Sequence, residues 1–148
     1  MVTHAPTGRS ALLVQSTDIL AAVNDAASND KFVLVALSDG GLRGLTSKQA
    51  RACVELGASY ICAWGHDCED LEETFDYAAF LPELGPELPF TLMTTAHRDQ
   101  TLEEALDFAF RWAKPPDDFP FPLNRLVLVA DSNELLNRCT TWITSENS

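Results

Sequence analysis

Phe32-Val33-Leu34-Val35-Ala36-Leu37 is the stretch of this chain that most clearly indicates its fold. An unbroken apolar run that includes β-branched residues is typical of a strand buried on both faces, as in a parallel sheet. The run gives way to a glycine-rich turn at residues 38–44, and Thr46 then opens a helix. Gln49, three residues after Thr46, completes a capping-box pattern at the start of that helix. A buried strand followed by a helix is the repeating unit of α/β domains.

The same order of strand and helix recurs three times towards the C-terminus. Strands are predicted at residues 59–64, 90–95 and 126–130. Helices are predicted from Asp67 or Cys68 to about Phe80, from Thr101 to Trp112 or Ala113, and, as a short helix, after a cap at residues 131–134.

The N-terminal part of the chain leaves two interpretations open. Residues 1–9 are predicted to be a loose tail, and the spacing of Leu12, Leu13 and Ile19 favours one helix within residues 11–29. The alternative is a short edge strand at residues 11–14 followed by a helix. Either way, residues 1–148 are expected to form a single α/β domain. Its mostly parallel sheet has four, possibly five, strands with helices on both faces, a Rossmann-like or flavodoxin-like three-layer sandwich.

Charge and composition restrict the partners of this chain. The formal net charge of −12 argues against direct binding to nucleic acid or to anionic membranes. Between residues 67 and 118 there are 14 acidic residues against three basic ones, so a basic protein partner is an alternative to simple solubility as the reason for this surface. No apolar run approaches the ~20 residues of a membrane span, and no secretory signal pattern is present. A cytoplasmic location with four reduced cysteines is expected.

Polar side chains follow two strands that are expected to be parallel neighbours. The first set comes at the end of the 59–64 strand, the second at the end of the 90–95 strand, and Asp39 follows the 32–37 strand. Because the carboxyl ends of parallel strands meet at one edge of a sheet, these side chains predict a candidate cleft. Its members are Asp39, Trp64, His66, Asp67, Cys68, Thr95, His97 and Asp99.

The residues of this cleft suggest three kinds of chemistry. A metal site could use Cys62, His66, Cys68 and His97, although their spacing is not usual for zinc. Cys68 at a helix N-terminus could be a nucleophile with His97 as base, but the neighbouring carboxylates oppose a lowered thiol pKa. A phosphate could bind at residues 40–44, although these match no established phosphate-binding loop. The sequence therefore predicts no catalytic residue, no metal ligand and no cofactor.

Part of the chain resembles a known family. Trp64-Gly65-His66-Asp67-Cys68, then Met93-Thr94-Thr95-Ala96-His97, and then an acidic and aromatic helix at residues 103–110 are similar to the W-G-x-D-C and M-T-T-x-H motifs of a small, uncharacterised bacterial domain family of unknown function. Ala96 stands where that pattern carries a tryptophan. The resemblance implies a bacterial origin and one compact domain, and it implies no activity.

The function expected from these observations is that of an acidic, cytoplasmic protein-binding domain. An immunity or antidote protein that masks a basic toxin is one form, and an accessory protein of a larger system is another. The side chains expected to meet a basic partner are Glu69, Glu72, Glu73, Asp76, Glu103 and Asp107. The alternative is an enzyme or a metal- or nucleotide-binding protein that uses the cleft around Cys68, His97 and Asp99.

Overall fold

The computed structural model describes residues 1–148 and contains one six-stranded sheet. The strands are β1 Val2–His4, β2 Arg9–Gln15, β3 Phe32–Ser38, β4 Ala58–Gly65, β5 Met93–His97 and β6 Arg125–Ala130. The helices are α1 Ile19–Ala26, α2 Ser47–Glu55, α3 Cys68–Phe80, α4 Leu102–Arg111 and α5 Asn133–Glu146, with a 3₁₀ turn at Pro82–Leu84.

The sheet has the spatial order β1-β2-β6-β3-β4-β5. Only β1 is antiparallel to its neighbour, whereas β2 to β6 run parallel to one another. The mostly parallel α/β sheet is therefore confirmed, but it has six strands rather than four or five. The order of the parallel strands matches neither of the two common doubly wound orders.

Helices cover both faces of the sheet, so the domain has three layers. On the first face α1, α2 and α3 bury one apolar cluster against alternate residues of the strands, such as Leu34 and Ile61. On the second face α4 and α5 bury another cluster against the intervening residues, such as Val35 and Cys62. Because side chains alternate across a strand and both faces are covered, every residue of β3 is buried, and all of them except Ser38 at its end are apolar.

Local sequence signals located most helix ends correctly. Thr46 and Thr101 each form the complete capping box, accepting from the backbone N–H of Gln49 and Glu104 respectively. Gly57 follows the end of α2 with φ +122°, a conformation that glycine adopts without strain. The boundaries predicted for α3 are also those observed.

Two of the predictions for the N-terminal part of the chain were wrong, and the alternative left open there was largely correct. Residues 1–9 are not a tail, because β1 pairs with β2 from Val2↔Ala11 to His4↔Arg9. The single helix within residues 11–29 is wrong as well. The alternative, a strand followed by a helix, is confirmed by β2 and α1, but β2 is longer than predicted and lies between β1 and β6 rather than at the sheet edge. A short apolar run fits a helix and a strand equally well, and here the partner strand β6, far away in sequence, decides.

Other boundaries shifted where tertiary packing outweighs local pattern. The third predicted strand lies at Met93–His97 and not at 90–95, since Phe90 and Leu92 pack against the core clusters and pairing with β4 begins at Met93. The C-terminal helix is not short but spans 14 residues. No helix has both the length and the apolar content to cross a membrane.

Candidate functional site

A cavity of about 190 Å³ opens at the carboxyl ends of β3 and β4 on the first face of the sheet. Ala36 and Ala63 give it an apolar floor, and their small side chains leave the space open. Arg43 on the loop after β3 and Asp70 on α3 stand at its polar rim. This cavity is the part of the predicted cleft that is hollow.

The turn after β4 places His66 and Asp67 at the mouth of this cavity. Gly65 has φ +92°, and a Cβ there would collide with the carbonyl oxygen of Ser38, to which His66 donates its N–H at 3.0 Å. Aspartate directly before a helix usually caps it with its side chain. Asp67 occupies the N-cap position in a left-handed conformation (φ 59°) but makes no capping hydrogen bond, and its carboxylate lies 3.2 Å from His66 Nε2 instead.

Cys68, the first residue of α3, is buried beneath this turn. Burial, and then the charge of Glu69, raise the pKa of its thiol. A nucleophilic cysteine needs the opposite shift, because the thiolate is the reactive form. The other three cysteines are also free and buried, and burial raises the pKa of Cys62 to about 12.

Thr95 and His97 lie on the second face of the sheet, the side away from the cavity. The two nitrogens of the buried His97 ring are both engaged, Nδ1 with Gln100 Oε1 at 2.6 Å and Nε2 with Thr95 Oγ1 at 2.9 Å. The ring also packs against Phe108, with centroids 4.8 Å apart. Trp64 Nε1 donates to the Gln100 carbonyl at 2.8 Å, which joins β4 to the turn after β5. These contacts give His97 a structural role.

The loop after β3 is held by a carboxylate from the end of β6. Asp131 accepts from the backbone N–H of Gly41 at 2.6 Å, from that of Asp39 at 3.0 Å and from Ser38 Oγ at 2.9 Å. Burial raises the pKa of Asp131, but these hydrogen bonds outweigh it and leave that pKa below its ordinary value. Within residues 40–44, the backbone N–H groups of Gly40, Gly41 and Arg43 already donate hydrogen bonds inside the molecule and are not free for a phosphate. The sequence showed Asp131 only as part of a helix cap.

The predicted cleft is thus divided into separate parts. Trp64↔His97 and Cys62↔Thr95 are register partners, so the neighbouring parallel arrangement of the two strands is confirmed. His66, Asp67 and Cys68 line the cavity, Thr95 and His97 lie on the other face, and Asp99 is exposed in the turn after β5. No group of three or more histidine, cysteine, aspartate or glutamate side chains is arranged to hold a metal ion.

The acidic residues expected to meet a partner differ in their surroundings. On α4, Glu103 pairs with Arg138 at 2.7 Å and Asp107 pairs with Arg111. Arg111 also reaches Glu146 at 2.7 Å. Each of these carboxylates thus has an arginine partner within the molecule, although Asp107 and Glu146 share Arg111.

On α3 the acidic residues have almost no cationic partners. Arg98 pairs with Glu69 at 3.2 Å, while Glu72, Glu73 and Asp76 form no ion pair. Burial, followed by the charges of Asp76 and Glu69, raises the pKa of Glu72. Four of the five carboxylates on α3 thus lack a cationic partner within the molecule. We call the five together the α3 acidic face (Glu69, Asp70, Glu72, Glu73 and Asp76).

An apolar groove continues from the C-terminal end of this helix. It lies between the end of α3 and the segment at residues 81–92, and its volume is about 730 Å³. Phe80, at its wall, is 64% exposed, and the neighbouring Tyr77 is exposed too. The sequence pattern did not predict this groove, although the prolines at 82, 86 and 89 indicate rigid, non-regular structure.

Comparison with known proteins places the chain in a family without assigning it an activity. Residues 11–146 match the model of a domain of unknown function, DUF7684, and the chain belongs to that family. No curated protein matches the chain. No solved structure matches it either. The expectation of an uncharacterised domain family is confirmed.

Proposed function

We propose that this member of the DUF7684 family is a non-catalytic binding domain that engages a basic partner protein through the α3 acidic face. The observation that carries the proposal is the contrast between the two helices that flank β4 and β5. Two of the three carboxylates on α4, Glu103 and Asp107, have arginine partners. On α3 only Glu69 has one, and Asp70, Glu72, Glu73 and Asp76 form no ion pair. A basic partner would supply the missing counter-charge.

The unpaired carboxylates destabilise α3 in the free protein. Glu72 and Asp76 are four residues apart on one helix, and like charges at that spacing destabilise a helix by about 0.2–0.5 kcal/mol. The raised pKa of Glu72 reports the same repulsion together with burial. Binding of lysine or arginine side chains would relieve it, so the charge pattern favours complex formation and fast encounter.

Two biological forms fit such a domain. One is an immunity or antidote protein that masks a basic toxin, and the other is an accessory protein of a larger assembly. In both forms the α3 acidic face, with the exposed Tyr77 beside it, provides the contact surface. Tyrosine is enriched at interface positions that contribute most binding energy.

The alternative, an enzyme or a metal- or nucleotide-binding protein at the strand ends, has weaker support. The cavity of about 190 Å³ is smaller than the ~300–1,000 Å³ usual for ligand sites. His97 has no free ring nitrogen for proton transfer, and the thiol pKa of Cys68 is shifted in the unreactive direction.

The experiment that tests the proposal is a titration of the whole chain with a short lysine-only peptide, in which binding is monitored by NMR. Replacing Glu72→Gln and Glu73→Gln together should weaken binding about three- to tenfold, since each exposed charge contributes on the order of 0.2–1 kcal/mol. Binding should also weaken steeply with added salt.

The matched control is the double variant Asp25→Asn, Asp30→Asn. It removes the same net charge from exposed positions in and after α1. If both double variants bind the peptide equally well, the effect is one of net charge only and the α3 acidic face is not the binding surface.

A further inference from the structure

The groove beside α3 is preformed by buried and rigid elements. Arg51, which is buried on α2, donates to the Pro86 carbonyl at 2.6 Å and to the Ala78 carbonyl at 3.3 Å. It thereby ties the end of α3 to the segment that faces it across the groove. Pro82, Pro86 and Pro89 restrict that segment further. A surface held in this way loses little entropy when it is covered.

Apolar side chains line the groove, and carboxylates stand at its edge and close to it in sequence. Leu88, Phe90 and Leu92 are half-buried on the floor, and Phe80 stands exposed at one wall. Glu87 is part of the lining, and Glu83 follows Pro82 of the lining. Glu73 and Asp76 lie on the turns of α3 before Phe80. All four carboxylates are exposed and form no ion pair within the molecule. The one buried cation behind the groove, Arg51, is paired with Glu55 at 3.3 Å. The combination selects an occupant that is apolar in the middle and positive at its edges.

We infer that the groove receives an amphipathic basic segment of the partner protein, with its apolar side chains against Phe80 and Leu88 and its lysines or arginines at the surrounding carboxylates. This inference rests on the proposed function and adds the place and the chemistry of contact. The volume agrees with it: about 730 Å³ accommodates several side chains, unlike the cavity of about 190 Å³ at the strand ends.

The test compares two synthetic peptides of equal length. One is amphipathic, with clusters of leucine alternating with clusters of lysine, and the other consists of lysine alone. Binding of each to the full chain is measured by calorimetry. We expect the leucine–lysine peptide to bind about tenfold more tightly or better, because it buries apolar surface that the lysine peptide lacks.

Variants then locate the contact. Phe80→Ser should weaken binding of the leucine–lysine peptide about tenfold and leave the lysine peptide almost unaffected. Trp112→Ser is the matched control, because Trp112 is 63% exposed and lies away from the groove, at the end of α4. The double variant Glu83→Gln, Glu87→Gln should weaken binding of the leucine–lysine peptide more than the double variant Asp25→Asn, Asp30→Asn does.

The possible failures are distinguishable. The groove is not the docking site if the two peptides bind with equal affinity, or if Phe80→Ser and Trp112→Ser weaken binding of the leucine–lysine peptide equally. The proposed function would still hold in that case if replacing Glu72 and Glu73 weakened peptide binding. If neither peptide bound the wild-type chain, the proposed function itself would fail.

Discussion

Gly65 shows how a single residue fixes the turn that leads from β4 into α3. Its φ of +92° is costly for any other L-amino acid, and the approach of the Ser38 carbonyl leaves no room for a Cβ. The neighbouring Asp67 also has a positive φ and is the only non-glycine residue that does. Both residues lie in the Trp64–Cys68 motif, so that motif encodes a backbone shape.

Replacing Gly65→Ala should therefore destabilise the protein by about 1–3 kcal/mol, the usual cost of a strained backbone position, with the clash added to it. Gly44→Ala is the control, because a Cβ at Gly44 meets no atom within 4 Å. Chemical denaturation of the two variants measures the difference. Equal stabilities would contradict the account of the turn.

At the scale of elements, α3 combines stabilising and destabilising charges. Glu69 and Asp70 in its first turn interact favourably with the helix dipole. Glu72 and Asp76, further along, repel each other, although Asp76 also accepts a hydrogen bond of 2.5 Å from Thr94 of β5. The helix therefore keeps destabilising charges in its middle.

Glu72→Gln should accordingly stabilise the isolated chain by about 0.2–0.5 kcal/mol, the usual size of a like-charge helix pair. Because the pKa of Glu72 is raised on folding, its ionised form disfavours the folded state at neutral pH. The gain should be complete at pH 7 and vanish as the pH falls below the unfolded glutamate pKa of about 4.3. Asp70→Asn should have the opposite sign. Thermal unfolding across pH measures both, and a gain that persisted in acid would refute this explanation.

The same scale shows what the sequence could and could not predict. Capping boxes such as Thr101 with Glu104 are local, so their helix starts were predicted correctly. The identity of β2 depends on pairing with β6, which lies more than 100 residues away, and the pattern of residues 11–14 could not reveal it. The separation of the predicted cleft follows from the register of β5. Thr95 and His97 pair with Cys62 and Trp64 and lie on the side of α4 and α5, whereas the turn after β4 brings His66 and Cys68 to the cavity on the other side.

At the scale of the whole molecule, two buried polar groups join distant parts of the chain. The guanidinium of Arg9 donates to four carbonyl groups, those of Ala109, Phe110, Ala113 and Leu123, at 2.5–3.0 Å. His4 bonds Glu146 Oε1 at 3.2 Å and stacks on Trp142 of α5. Together they fix the N-terminal strands to α4 and α5. The polar residues near the N-terminus do not reveal these contacts in the sequence, because the partners are far away along the chain.

Arg9→Met should lower the free energy of unfolding by at least about 3 kcal/mol, since several buried carbonyl groups would lose their donors. Arg43→Met is the control, because the exposed Arg43 guanidinium has no hydrogen-bond or ion-pair partner. Urea denaturation measures both. A small effect at Arg9 would mean that water replaces its hydrogen bonds at little cost.

The Asp131 carboxylate has a further consequence for how this sheet can be used. In open α/β sheets the loop after a central strand commonly offers its amide groups to a diffusible anion. Here the polypeptide supplies its own anion to that loop, attached to the adjacent strand and unable to diffuse away. A phosphate at this loop would have to displace the Asp131 carboxylate, which is covalently attached to the neighbouring strand, and would be repelled by its charge.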